Sequence, residues 1–247
     1  MPPEDPWEQL RLATRARIGL GRAGDAMKVE DVLDFQFAHA MARDAVHAKL
    51  DIARLKTALP GAVCVHSEAE GREQYLRRPD LGRRLAPECF EQLPRGEYDA
   101  VLVIADGLSA TAVMHNAVPM VEAVMERLSG FRIAPPVIAT QARVALGDDI
   151  GEALGAKLCA VLIGERPGLT VSDSLGVYLT YNPKRGTLDS ARNCISNIHT
   201  HGGLSYTTAA DMLAWLMREA LRRGLTGVGL KEASGLLGGE TQAALAG

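Results

Sequence analysis

The sequence predicts an α/β fold: a mostly parallel sheet flanked by helices, preceded by a small helical N-terminal subdomain. Two strand-then-loop units carry the prediction. Residues 100–105 run into Asp106-Gly107-Leu108-Ser109, and residues 158–163 run into Gly164-Glu165-Arg166-Pro167-Gly168-Leu169. Each is a short apolar run cut off by glycine and polar residues, the pattern of a buried parallel strand whose carboxyl end faces a crevice. Ligands of open α/β sheets bind in that crevice. The second loop packs a carboxylate, a guanidinium, a proline and two glycines into six residues. The third observation is that strand-like and helix-like stretches alternate from residue 60 onward, while no strand is evident before it. This predicts a helical part, 1–59, and an α/β part, 60–247.

The elements follow in order. Leu10, Ala13, Arg17 and Leu20 suit a first helix that ends at Gly21 or Gly24. From Val29 the apolar positions Val32, Leu33, Phe35, Phe37, Ala40, Met41, Val46 and Leu50 recur at three-to-four spacing, which predicts an amphipathic helix that Pro60-Gly61 stops. A strand over 62–67 comes next, then an arginine-rich segment, 75–85, and a short helix over 87–93. Strand 100–105, helix 110–128, strand 137–140, helix 148–155 and strand 158–163 form the alternating centre. Strand 175–181 ends at the turn Asn182-Pro183-Lys184-Arg185-Gly186, and a last helix spans 207–223. The Gly- and Ala-rich end, 232–247, is expected to fray.

Composition excludes several classes. With 47% apolar residues over 247 positions the chain can bury a sizeable core. A net charge of −3 argues against a nucleic-acid footprint, and 4% aromatic content leaves few platforms for stacking bases. The acidic, proline-rich start has no apolar h-region. No apolar run approaches the ~20 residues of a membrane helix, so no membrane partner is expected. Cys64, Cys89, Cys159 and Cys194 are scattered without a Cys-x-x-Cys, which predicts reduced thiols and no thiolate zinc site.

Several motifs compete with plainer explanations. Gly19-Leu20-Gly21-Arg22-Ala23-Gly24 is a literal G-x-G-x-x-G, yet a dinucleotide fingerprint needs a strand before it. A helix-like stretch precedes this one, so helix-terminating glycines are the expectation; a strand there would favour a nucleotide-binding oxidoreductase. Gly107-Leu108-Ser109-Ala110-Thr111 is half of a nucleophile elbow, and Ser109 fits better as a helix cap, while a helix start after a strand is also an anion- or amide-binding edge, which leaves a ligand role open. Cys194, His199 and His201 lack a fourth partner at zinc-type spacing, and a thiol in a turn with two histidines in a glycine-flanked loop reads as structural. His39, Arg43 and His47 share a helix face that solvation or packing explains. The four arginines of 77–84 fit either a solvated loop, with Asp80 pairing one of them, or guanidinium forks that meet carboxylate or phosphate.

The longer strings go further. Segment 75–85, the loop 106–109, the stretch RVALGDDIGEALGAKLCAVLIGERPG (143–168) and NCISNIHTHGG (193–203) together resemble the small (light) subunit of ethanolamine ammonia-lyase, over about residues 7 to 225. The resemblance implies a Rossmann-like domain that covers part of an adenosylcobalamin at the interface with a large catalytic subunit in a hetero-oligomer. That enzyme is a carbon–nitrogen lyase that converts ethanolamine to acetaldehyde and ammonia. An adenosyl radical from the cofactor abstracts a substrate hydrogen there, while protein supplies binding, orientation and protection. The resemblance also implies cofactor contacts at Val144, Glu165 and Cys194, no catalytic residue in this subunit and a chain inactive alone. The Asp-x-His-x-x-Gly motif of histidine-ligated cobalamin proteins does not occur here, so a base-on cofactor, with its own benzimidazole on cobalt, is expected. Some relatives carry an N-terminal segment associated with a protein microcompartment. This chain enters the family-like region within a few residues of Met1, and the expected location is the cytosol. A non-catalytic assembly subunit, without direct cofactor contact, is the competing reading.

Overall fold

A computed structural model describes residues 5–14 and 16–231. A six-stranded sheet is its centre, in the order β1 (Val63–His66), β3 (Val137–Thr140), β2 (Tyr98–Ala105), β4 (Ala156–Gly164), β5 (Leu175–Tyr181), β6 (Arg192–Ile198). β1, β2, β3 and β4 pair in parallel; β5 and β6 extend the sheet antiparallel. The fold is α/β and mostly parallel, as expected. The chain passes from β2 to β3 on one side, then crosses back to β4 on the other, so the carboxyl ends of β2 and β4 open a switch-point crevice. The strand order itself differs from the doubly wound 3-2-1-4-5-6 arrangement.

Period-two alternation builds two cores. Leu102, Ile104, Ile138, Leu158, Ala160, Leu162, Val177 and Leu179 face one side, against helices α5 (Ala110–Met125) and α7 (Tyr206–Arg223). Val101, Val103, Val137, Ala139, Cys159, Val161 and Ile163 face the other, against Leu146, Ile150 and Leu154 of α6 (Leu146–Leu154). Because both faces are covered, the strands read as continuous apolar runs. Ser109 and Ser205 cap α5 and α7 by accepting the amides of Ala112 and Thr208, each at 3.1 Å. Gly155 and Gly224, at φ +76 and +70, end α6 and α7.

The N-terminal expectations are corrected in detail. The first helix, α1, covers only Glu8–Ala13. The second pattern splits into α2 (Val29–His47) and α3 (Ile52–Ala58), where Asp51 accepts the Arg54 amide and starts a new helix. Nor does α2 bury an apolar stripe: Ala45 is its buried residue, while Leu33, Phe35, Phe37 and Met41 stand exposed. In α3, Leu55 joins the core beneath α5. Inside segment 75–85 lie the end of α4 (Arg72–Arg77) and a 3-10 turn, Leu81–Arg83; Pro87–Gln92 is also 3-10. No helix among the described residues is long and apolar enough to cross a membrane. The expected fraying of 232–247 lies outside the described residues.

The clearest omission is β6. Residues 193–203 read as loop, yet Arg192–Ile198 pairs with β5. Between Ile195 and Ile198 the strand holds one residue more than β5 does between Val177 and Leu175. This bulge breaks the alternation that would have marked the strand. Cys194 therefore sits on a strand opposite Tyr178, not in a turn.

Candidate functional site

A cleft of about 260 Å³ opens at the carboxyl ends of β2 and β4. Three loops wall it: Gly107 and Leu108 after β2, Arg143 and Val144 before α6, and Gly164, Glu165 and Arg166 closing β4. Tyr75 and Tyr178 supply aromatic walls.

Asp106 organises the first two loops. Its carboxylate is buried and accepts the amides of Gln141 at 2.8 Å and Ala142 at 2.9 Å. Burial pushes the acid upward, opposed by those amides and by Arg72. The Arg72 guanidinium lies 3.5 Å from Asp106, donates to the Gly107 carbonyl at 2.8 Å, and reaches the Val46 carbonyl at the end of α2 at 2.6 Å. Gln141 itself holds φ +52, a costly conformation for a residue with a Cβ and one that clusters at functional sites.

Tyr75 is fully buried and donates to the Ala142 carbonyl at 3.1 Å. Two guanidiniums lie on its ring, Arg72 at 4.9 Å and Arg143 at 4.4 Å from the centroid. Burial raises its phenol far above the ordinary value, so it is a neutral donor at any working pH.

Glu165 occupies the opposite wall. Its Oε2 accepts from the Ser174 hydroxyl at 2.5 Å and from the Asn197 amide at 3.2 Å. The β6 bulge turns that amide inward, and Asn197 sits there at φ +63. Tyr178, one strand from β4, bridges toward β6. Burial pushes its hydroxyl up to about 12, and its hydrogen bond to Cys194 acts in the same direction. Desolvation likewise raises the Cys194 thiol, so it stays protonated at neutral pH.

Of the expected site residues, Val144 and Glu165 line the same cleft. Cys194 is absent from the lining and adjoins it through Tyr178. Sequence reasoning missed Tyr75 and Tyr178, and took Arg143 only as the neighbour of Val144. The available signal for Tyr75 was a single aromatic among arginines.

Three polar atoms around this loop cluster are buried without a hydrogen-bond partner among the described residues: Arg72 Nη2, Gln141 Oε1 and Arg143 Nε. Such atoms are rare in native proteins and are met by a ligand, water or partner.

The other motifs resolve into structure. Ser109 caps α5 and donates to the Ser172 carbonyl at 2.9 Å. No described strand precedes Gly19, which removes the context a dinucleotide fingerprint needs. Arg77, Arg78, Arg83 and Arg84 pair with Glu73, Asp80, Asp189 and Glu68, at 2.9, 2.7, 3.6 and 3.7 Å. His39, Arg43 and His47 are exposed on α2. The His199 ring contacts Asn197 Oδ1 through Nε2 at 2.9 Å and the His201 amide through Nδ1 at 3.2 Å.

Comparison with known proteins gives the family. The sequence model of a family described as ethanolamine ammonia-lyase light chain matches residues 4–231. The ethanolamine ammonia-lyase small subunit of Azotobacter vinelandii is 50% identical over 241 residues, covering 93% of this chain and 89% of the relative. That of Pseudomonas fluorescens is 49% identical over 242 residues, covering 93% and 88%. That of Xanthomonas campestris pv. campestris is 50% identical over 254 residues, covering 97% and 93%.

Proposed function

The chain belongs to the ethanolamine ammonia-lyase light-chain family, and from that membership we propose that its switch-point cleft completes the adenosylcobalamin site at the interface with the large subunit. One observation carries the reading: Val144 and Glu165, distant in sequence and both expected as cofactor contacts, line one cleft beside polar atoms that have no partner among the described residues. Cys194 enters as the third contact by way of Tyr178.

The residues suit the group. Leu108, Val144 and Ile163 give apolar surface for a corrin edge. The Glu165 carboxylate has acceptor capacity beyond its bonds to Ser174 and Asn197, which suits amide and hydroxyl donors at a corrin rim. A cleft of about 260 Å³ takes only part of so large a molecule, so the remainder falls to the large subunit. When bound, adenosylcobalamin supplies the radical chemistry by which ethanolamine becomes acetaldehyde and ammonia. This chain's contribution is to bind, orient and exclude water. Both ring nitrogens of His199 are engaged within its own turn. That supports a base-on cofactor with no histidine of this chain on cobalt.

The test is Glu165→Ala in the complex with the large subunit. A contact to the cofactor periphery is made equally before and during reaction, so the apparent cofactor constant should rise while turnover at saturation changes little. A hydrogen bond to a charged acceptor is worth about 1.5–3 kcal/mol, or roughly 10–150-fold. An unchanged cofactor constant in an assembled complex overturns the reading and favours an assembly-only subunit.

A further inference from the structure

The cleft has an electrostatic asymmetry that the Glu165 wall does not explain. Arg143 projects into it from the loop before α6, with its guanidinium 4.4 Å from the centroid of the Tyr75 ring. Its side chain donates no hydrogen bond and makes no ion pair among the described residues, and its Nε is buried. Arg166 lines the opposite lip, exposed and likewise without a carboxylate partner among the described residues. Behind them Arg72, about nine-tenths buried, is matched by Asp106, while its Nη2 has no partner among the described residues. Every arginine of the neighbouring 77–84 segment, by contrast, has an acidic partner. The unpaired positive charge of this region is therefore gathered at the cleft. A guanidinium held over a buried tyrosine ring is also pre-organised, so little side-chain freedom remains to be lost on binding.

Resting on the cofactor reading above, we propose that Arg143, backed by Tyr75 and joined by Arg166, is the subsite for the phosphodiester of the cofactor's nucleotide tail. A guanidinium fork matches two phosphate oxygens, and the bond is charge-assisted on both sides. The phosphodiester supplies an anion with several acceptor oxygens to the two guanidiniums that line this cleft.

The experiment compares two corrinoids on the assembled complex with the large subunit, by equilibrium dialysis read through corrin absorption. Adenosylcobalamin carries the phosphodiester and adenosylcobinamide does not. Arg143→Gln should weaken adenosylcobalamin ~10–100-fold and leave adenosylcobinamide within about twofold. Arg166→Gln should show the same selectivity at about 3–10-fold, because its side chain is exposed and more screened. That variant alters a surface residue and carries the test if Arg143→Gln fails to assemble. Equal weakening of both corrinoids, or no weakening of either, overturns the proposal. So does loss of the large subunit with corrinoid affinity intact, which would make Arg143 an interface residue. Glu165→Ala run in parallel separates the two levels. If it weakens both corrinoids while the arginine variants weaken neither, only the phosphodiester subsite fails; if no variant affects either corrinoid, the cofactor reading fails with it.

Discussion

Gly107 and Gly164 meet backbone to backbone where β2 and β4 end. A Cβ on Gly107 would overlap the Gly164 carbonyl oxygen, and one on Gly164 would overlap the carbonyl oxygens of Ser109 and Asp106. The Leu108 amide donates to that same Gly164 carbonyl at 2.9 Å. The two loops that wall the cleft are thus fastened to each other before any ligand enters.

Gly164→Ala should consequently cost several kcal/mol, since the clash is with backbone that cannot swing away. Gly107→Ala adds a left-handed φ of +56 to the overlap and should be no better tolerated. Gly130→Ala is the control: its φ is +87 but nothing lies within 4 Å of the added carbon, so about 1 kcal/mol is expected. Denaturant titration of the three variants in one background measures the contrast.

Asp148 and Arg192 form a buried bidentate pair, at 2.6 and 2.7 Å, that ties α6 to the edge strand β6. Arg192 also reaches Thr180 Oγ1 at 2.8 Å and the Thr187 carbonyl at 2.9 Å. Removing Asp148 leaves the buried Arg192 with only the exposed Asp189, 3.3 Å away, as a countercharge, so Asp148→Ala is expected to cost about 3 kcal/mol. The double variant Asp148→Leu/Arg192→Met should be more stable than Asp148→Ala alone. A double variant that is less stable would show that the pair contributes through its bonds to Thr180 and Thr187 instead.

Asp99 gives the acid limb of stability. Its carboxylate accepts from Lys157 Nζ at 2.9 Å and from the Arg132 amide at 3.0 Å. These hold its pKa down to about 2. A folded value below the unfolded one, ~3.9, means the contribution is complete above pH ~4 and is lost as pH falls toward 2. With Lys157 and Arg132 both half exposed, about 1–2 kcal/mol is expected after screening. Asp99→Asn should flatten the stability profile between pH 4 and 2 and lower the plateau above it, as followed by chemical denaturation at stepped pH.

Isolated from the large subunit, the chain should neither turn over ethanolamine nor remain monodisperse. Leu33, Phe35, Phe37 and Met41 stand exposed on α2, as do Trp7, Leu10 and Leu12 on and beside α1. Apolar exposure on that scale drives association. Sedimentation velocity should show self-association at micromolar concentration, reduced by Leu33→Gln/Phe37→Gln. A stable monomer of the unaltered chain, or turnover by it, would contradict this expectation.

The sequence by itself determined the strands at 100–105, 137–140, 158–163 and 175–181, because each is apolar along its length and bounded by turn residues. It also determined the helix capped by Ser109, whose hydroxyl needs only its own next turn. The strings that resemble the light-chain family named Val144, Glu165 and Cys194; folding brings the first two to one cleft and leaves Cys194 outside its lining, on β6 opposite Tyr178. What only tertiary structure decided depends on partners far apart in the chain. The strand β6 is stabilised by pairing with β5 across a bulge that erases its alternation. The outward face of α2 follows from what packs beneath it, not from its spacing. Tyr75 and Arg143, separated by a whole β-α-β passage, become ring and guanidinium in contact at 4.4 Å. Local burial and capping are written into adjacent residues, whereas a cleft is made by the register and order of strands, which are chosen when distant segments compete to bury the same surface.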